Sequence, residues 1–396
     1  MRLMPVNLQE HMPSHDPHSA TRMDGAQDPR GAQVGNTPLV ELPRLARSAG
    51  AIVERGEGHA GEAGAAGAAG AANTPRFRVL AKLEQFNPGG SAKDRTAEAL
   101  VTAALESGLI QDPTTTTPTT TTTPHPITLV ESSSGNLGIA LARQAHLRGW
   151  DFICVVDPRA NPATITTIES YGATVDTVTE PDPDTGDWLT ARRARVQELL
   201  QANPHAINLD QYSNQAAFTA HAEGTMAEII RDLGKAPDWL FVAMSTTGTI
   251  GGCMQKLAEH QATPTTTVGV DAHGSVLFGG TRAQRLLPGF GAGIVPDLAR
   301  HHQPDHVHRA HAADAVIGAR TLARVEGLLP GASGGAVIDA LLHHAPHIPD
   351  GADVVLILHD SGANYLDTIY NDHWVEQHLG LTSAALRGAV AQVVES

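Results

Sequence analysis

From about residue 79 onward, short apolar runs alternate with longer amphipathic stretches. Val79-Leu80-Ala81 reads as a strand, and Arg95 to Glu106 as a helix stopped by Gly108. Ile127 to Val130 is a strand, followed by a helix from Leu137 to Leu147 closed by Gly149. Phe152 to Val156, a helix over Ala163 to Tyr171 ended by Gly172, and a strand over Thr174 to Val178 continue the rhythm. Helices are expected at Trp188 to Gln201 and Ala216 to Leu233, and strands at Trp239 to Ala243 and Thr267 to Val270 flank a helix from Gly251 to His260. Late in the chain, Val354 to Leu358 reads as a buried strand and Tyr365 to Trp374 as a helical pattern. Short apolar strands alternating with helices give parallel βαβ units, hence an α/β fold. Ligands then sit at the carboxyl ends of the strands, in loops that lead into helices.

Three stretches break the pattern. Residues 1–30 are polar and rich in Pro and His, the composition of a disordered tail. Residues 56–75 form a Gly/Ala/Glu run that reads as a flexible insert, and 112–126 is almost wholly Thr and Pro. The formal charge of −15 over 396 residues argues against non-specific nucleic-acid binding and against acidic membrane surfaces. Only Cys154 and Cys253 are present, which excludes a disulfide framework and a thiolate metal site. No signal peptide and no membrane-length apolar run is legible, so a cytoplasmic location is expected. The 21 histidines cluster at His301-His302 and from His306 to His311, amid Pro, Asp and Ala. Spacing alone fixes no tetrahedral geometry, and a solvated loop with no metal is the reading adopted.

Four loops carry candidate chemistry. Asn87-Pro88-Gly89-Gly90-Ser91-Ala92-Lys93-Asp94-Arg95 puts a lysine at a helix start. Lysine is scarce, with Lys82, Lys93, Lys235 and Lys256 the only four among 27 basic residues. An amine can deprotonate and form an imine where a guanidinium cannot, although a solvated lysine is an equal reading of this loop alone. Ser132-Ser133-Ser134-Gly135-Asn136 follows a strand and opens a helix, which suits a carboxylate or is an ordinary capping run. Ser245-Thr246-Thr247-Gly248-Thr249 does the same with hydroxyls suited to a phosphate, and it lacks the lysine of a nucleotide loop. His359-Asp360-Ser361-Gly362 ends the last buried strand. Arg282 and Arg285 are candidate anion contacts, with a surface helix the plainer reading.

In this order the motifs resemble the fold-type II pyridoxal-phosphate (PLP) enzymes, the cysteine synthase and cystathionine β-synthase group, from about Gly35 to about Trp374. Asn36-Thr37-Pro38-Leu39 looks like that family's opening motif. The resemblance implies two three-layer α/β domains with mostly parallel sheets: 31–86 plus 214–381 as the larger, 87–213 as the smaller, and 382–396 as a C-terminal tail. It implies that Lys93 holds the cofactor, that Asn136 bonds the ring hydroxyl, and that Ser245, Thr246, Thr247, Gly248 and Thr249 cradle the phosphate. Ser361 would meet the pyridine nitrogen. Ser133, Ser134, Gly135, Asn136 and Gln211 would hold the substrate carboxylate. Small amino acids as substrates and a homodimer are the expected partners.

Narrower similarity lies in Glu131 to Gly138, in Val270-Asp271-Ala272-His273-Gly274-Ser275-Val276, and in His359 to Gly362 followed by Tyr365 to Tyr370. It points to the branch that makes N-(2-amino-2-carboxyethyl)-L-glutamate for 2,3-diaminopropionate and siderophore biosynthesis. The implied reaction is β-replacement, through an aminoacrylate, on O-phospho-L-serine or O-acetyl-L-serine with glutamate as the amine. Gly289-Phe290-Gly291-Ala292-Gly293-Ile294-Val295-Pro296 reads instead like the cysteine synthase loop and carries no basic residue. Cysteine synthesis from sulfide, and aspartate as the amine, therefore stay open as alternatives.

Overall fold

The computed structural model describes residues 33–57, 75–110, 127–260 and 264–395. The expected N-terminal tail, nearly all of the Gly/Ala insert and the Thr/Pro insert lie outside them. In chain order the elements begin with β1 (Leu39–Glu41), α1 (Pro43–Glu57), β2 (Arg78–Leu83), α2 (Lys93–Glu106), β3 (Thr128–Ser132) and α3 (Asn136–Arg148). Next come β4 (Asp151–Val156), α4 (Pro162–Ser170), β5 (Thr174–Thr177), α5 (Trp188–Ala202) and β6 (Ala206–Ile207). α6 (Ala216–Thr219) runs through a π-helical stretch, Ala220–Met226, into α7 (Ala227–Leu233). β7 (Trp239–Ala243), α8 (Gly248–Glu259), β8 (Thr266–Ala272), β9 (His306–Ala310), α9 (Ala312–Glu326) and α10 (Ala332–His344) follow. β10 (Asp353–Leu358), α11 (Asp372–Leu379) and α12 (Ser383–Val394) close the chain.

Two sheets result. The larger has the order β1-β2-β10-β7-β8-β9, parallel except for β1 against β2, and the smaller has the order β5-β4-β3-β6, all parallel. Strand alternation explains why the central runs are apolar throughout. In β10, Val354, Leu356 and Leu358 join one cluster with Leu45, Leu322 and Leu341, while Val355 and Ile357 join another with Met226, Ile229 and Ile250. Both faces are covered by helices, so neither set of positions turns to water. The smaller sheet repeats this: Leu129, Phe152 and Cys154 pack under α2 and α3, and Val130 and Val155 pack against Val196 of α5.

The structure departs from the sequence reading in several places. The His306–Ala310 stretch is an edge strand, not a solvated loop; it pairs in parallel with Val268–Ala272. Tyr365 to Trp374 is not one helix. The Tyr365 hydroxyl is held by Asp360 at 2.8 Å and that of Tyr370 by the Pro330 carbonyl at 2.7 Å. α11 starts afresh where the Asn371 side chain accepts the His373 and Trp374 N–H groups. The C-terminal stretch is a helix rather than a tail, capped by Thr382 and burying Leu386 and Val390 in the larger core. α1 reaches Glu57, so the first residues of the 56–75 insert belong to a helix. α9 and α10, not foreseen, pack so closely that a Cβ on Gly318 or Gly335 would strike the other helix's backbone. Among the described residues no helix is long and apolar enough to cross a membrane.

Candidate active site

The lysine loop is built before its lysine is placed. Its two ends, Asn87 and Arg95, both bind Glu84: the Asn87 amide donates at 2.9 Å, and the Arg95 guanidinium at 2.7 and 2.9 Å. Arg95 also grips Glu228 at 2.7 and 2.8 Å and donates to the Thr37 hydroxyl at 3.1 Å, which ties in the Asn36–Leu39 motif. Inside the loop, the Asp94 carboxylate accepts the N–H groups of Gly89 at 3.1 Å and Ser91 at 3.3 Å. A Cβ on Gly89 would run into that carboxylate, so a larger residue here would displace Asp94 from the loop N–H groups it accepts. Burial raises the Asp94 carboxyl to about 6 against these bonds.

The loop docks on the end of β10. Ala92 donates its N–H to the His359 carbonyl at 2.8 Å, and Ser91 and Asp360 form an antiparallel bridge. Lys93, the first residue of α2, keeps part of its surface open. Among the described residues no carboxylate lies within ion-pair distance of it, and loss of water around the amine brings its pKa down to about 8. His359 beside it falls to about 3, through burial first and the Lys93 charge second. Among the described residues neither ring nitrogen of His359 has a hydrogen-bond partner.

The other loops converge here. The Asn136 amide, at the start of α3, donates to Asp360 Oδ2 at 2.7 Å, and Asp360 Oδ1 is buried without a partner. The Gln211 amide donates to the Ser132 carbonyl at 3.1 Å, which sets it against the serine loop. In that loop the Ser133 hydroxyl accepts the Gly138 N–H at 2.9 Å, and the Ser134 hydroxyl accepts from Arg192 at 3.0 Å. Thr249 reaches the region through His221, whose Nε2 lies 3.2 Å from its hydroxyl and 3.1 Å from that of Thr96, one turn beyond Lys93. Burial and the Lys93 charge push His221 well below its usual range. Thr247 sits at φ 65°, in the left-handed region, and its hydroxyl donates to the Thr246 carbonyl at 2.7 Å rather than capping α8. The Ser245 hydroxyl donates to the Gly291 carbonyl at 3.3 Å, and Ser361 accepts the Ala363 N–H at 3.2 Å.

A family model described as pyridoxal-phosphate dependent enzyme matches residues 60–360. The chain belongs to that family. An O-acetylserine dependent cystathionine β-synthase from Helicobacter pylori has a similar structure, with a TM-score of 0.70 at 25% identity over 86% of this chain and 98% of the other. An O-ureido-L-serine synthase gives 0.68 at 27%, covering 85% and 92%. A hydrogen sulfide-producing enzyme from Fusobacterium nucleatum gives 0.68 at 26%, covering 84% and 97%. This PLP-dependent enzyme thus has the α/β fold type expected of it.

The residues present fit the cofactor. A desolvated amine without an ionic partner suits covalent attachment of an aldehyde. The first N–H groups of α8 have no acceptor within the helix and no side-chain cap, which suits a phosphate. α4, α5, α11 and α12 are capped by Asn161, Asp187, Asn371 and Thr382, whereas α2, α3, α9 and α10 share the open start of α8. The run of hydroxyls from Ser245 to Thr249 is what sets α8 apart. His359, Asp360, Tyr365 and His221 were not singled out as site residues in the sequence. His359 and Asp360 stand beside Ser361 in a motif that was seen; nothing in the pattern marks His221.

Arg282 and Arg285 lie in an irregular segment, not a helix. Arg282 pairs with Asp187 at 3.2 Å. Arg285 is half-buried with no ion-pair partner among the described residues, and burial followed by the Arg159 charge lowers its pKa. Its guanidinium stands 3.2 Å from where a Cβ would lie on Gly291 or on Gly293. The loop that lacks basic residues in sequence has one beside it in space.

Proposed function

We propose that this PLP-dependent enzyme is a β-replacement transferase that joins O-phospho-L-serine, or O-acetyl-L-serine, to L-glutamate. The Cβ–O bond of the serine derivative breaks, a Cβ–N bond to the glutamate amine forms, and phosphate or acetate leaves. The product, N-(2-amino-2-carboxyethyl)-L-glutamate, is a precursor of 2,3-diaminopropionate. The neighbours named for O-acetylserine and O-ureido-L-serine support a serine derivative as the first substrate. The observation that carries the anionic second substrate is Arg285, half-buried against the Gly291–Gly293 turn, with no carboxylate in ion-pair distance among the described residues, although the charges of Asp187 and Asp271 act on it from further off. Arg159 and Arg192, both paired with Asp157 at 2.9 and 3.2 Å, stand between that side and the serine loop, where Arg192 donates to the Ser134 hydroxyl.

Bound PLP supplies the conjugated ring that accepts the electron pair of the substrate Cα–H bond. In this reading Lys93 holds the cofactor through its amine and serves as the base that takes the Cα proton and returns it. A pKa of about 8 keeps part of the free amine unprotonated near neutrality. Ser133 to Asn136, with Gln211, orient the substrate carboxylate, and Asn136 bonds the ring hydroxyl. Ser245 to Thr249, at the uncapped start of α8, hold the phosphate. Ser361 offers the pyridine nitrogen a neutral hydroxyl.

The test is product identification by mass spectrometry after offering each serine ester with glutamate, aspartate or sulfide. A glutamate adduct formed in preference to the others supports the proposal. Cysteine formed without any amine adduct overturns it in favour of a cysteine synthase, the reading that the Gly289–Pro296 loop favours.

A further inference from the structure

The histidines of the β9 edge strand do not face open water alone. Alternate positions of a strand share a face, and His306 and His308 both meet the last turn of α10, where His343 and His344 stand. The His308 ring centroid lies 5.0 Å from that of His343 and 5.9 Å from that of His344, and the two helix rings are 5.2 Å apart. One nitrogen from each of His308, His343 and His344 lies within 4.8 Å of the others. Asp339, one turn before His343 on the same helix face, meets His308 Nε2 at 2.8 Å through Oδ2. Trp239 and His306 stack at 6.0 Å and 4° beside the cluster, and Trp239 also contacts His344.

We propose that His308, His343 and His344 form a binding site for a divalent zinc-type ion that ties the edge strand to the end of α10, with Asp339 orienting the His308 ring. Three imidazoles suit borderline divalent ions, and the C-terminus of a helix favours positive charge. A tetrahedral ion with Zn–N bonds of about 2.1 Å draws its nitrogens to about 3.4 Å apart. The rings therefore close by about an ångström, a movement open to the exposed His343 at the helix end. The ion stands away from the chemistry. α10 starts beside Gly331, whose N–H meets the Asp360 carbonyl at 3.1 Å, and its 13 residues span about 20 Å to the histidines. It acts on the stability of an edge strand that is otherwise open to foreign pairing, and leaves turnover unchanged.

The experiment takes the cofactor-loaded full chain, freed of metal by chelator dialysis and titrated with zinc chloride in a calorimeter, with a thermal scan alongside. His343→Gln alters an exposed side chain and leaves the core intact, so it serves as the main variant. Wild type is expected to take up one tightly bound equivalent per chain more than His343→Gln, and to gain a rise in Tm that the variant lacks. Asp339→Asn should weaken that equivalent ten- to a hundredfold, as loss of an orienting carboxylate does. Identical uptake and identical Tm shift in wild type and His343→Gln would overturn the proposal. Both readouts are independent of the reaction, so they stand or fall apart from the substrate assignment.

Discussion

Two lysines of this lysine-poor chain, one fully buried and one partly so, live in opposite surroundings. Lys82, on β2, is fully buried and meets Glu228 at 2.8 Å, the Thr37 carbonyl at 2.6 Å and Asp232 at 3.6 Å. Lys93, eleven residues on, has no carboxylate within reach among the described residues and titrates near 8. The Lys82 network, continued through Arg95, Glu84 and Thr37, gives each buried charge an opposite charge and a hydrogen bond. Around Lys93 the reverse holds: both nitrogens of His359 and one oxygen of Asp360 are buried without partners among the described residues. A satisfied cluster holds the backbone; an unsatisfied one keeps hydrogen-bonding capacity for something that arrives. Unpartnered buried groups persist where the rest of the fold is strong enough to carry their cost.

The largest effect is expected from the unsatisfied member. Lys93→Ala should abolish the visible absorbance of bound cofactor and lower β-replacement activity at least a thousandfold, by spectroscopy and product assay, while Tm of the apo form moves little. Retained colour and turnover would erase the distinction between the two lysines.

Lys82→Met should do the opposite. It leaves Glu228 with a single cationic partner inside the protein, and breaking a buried pair costs about 3–5 kcal/mol. Denaturant unfolding of the apo form should show that loss, with the cofactor spectrum retained in the folded fraction. Acid should expose the same network. Burial alone would raise the Glu228 carboxyl, but Arg95 and Lys82 bring it to about 2. Its stabilisation is complete above the ordinary value of 4.5 and is lost as the pH falls from there through 2, about 3 kcal/mol in all. Glu228→Gln should flatten that part of the pH–stability curve; an unchanged curve would show that the charge on Glu228 contributes nothing.

The asymmetry also decides what could be read in the sequence. The Lys93 loop was legible because a glycine turn, a rare lysine and a helix start are local features, and the strands of both sheets were legible because burial on two faces makes them apolar throughout. The partners of these loops were not. Glu228 lies 133 residues from the arginine it binds, and His221 sits within a π-helical stretch whose chemistry no short motif announces. α9 and α10 hid for another reason: their contact is made by Gly318, Gly335 and alanines, which carry little apolar signal although they allow the closest approach. β9 hid because an edge strand bearing three polar residues among its five, His306, His308 and Arg309, lacks the period that marks a buried one.

The partial exposure of Lys93 discounts the last effect, which is the most direct comparison of the two amines. In the apo enzyme the folded Lys93 pKa of about 8 lies below its ordinary 10.5. Between those values the unfolded chain binds more protons than the folded one, so apo stability should rise with pH across that window. Below 8 both states carry the proton, and the cost of burying the charge is constant and unfavourable. The lysines and tyrosines of the unfolded chain have ordinary values of about 10, so the informative quantity is the difference between wild type and Lys93→Met, both as apo proteins, in urea unfolding over the window above the Lys93 value of about 8. Wild type should gain on the variant as the pH rises. Parallel curves would mean that the Lys93 amine is as well solvated as an ordinary surface lysine, and the contrast with Lys82 would then rest on pairing alone.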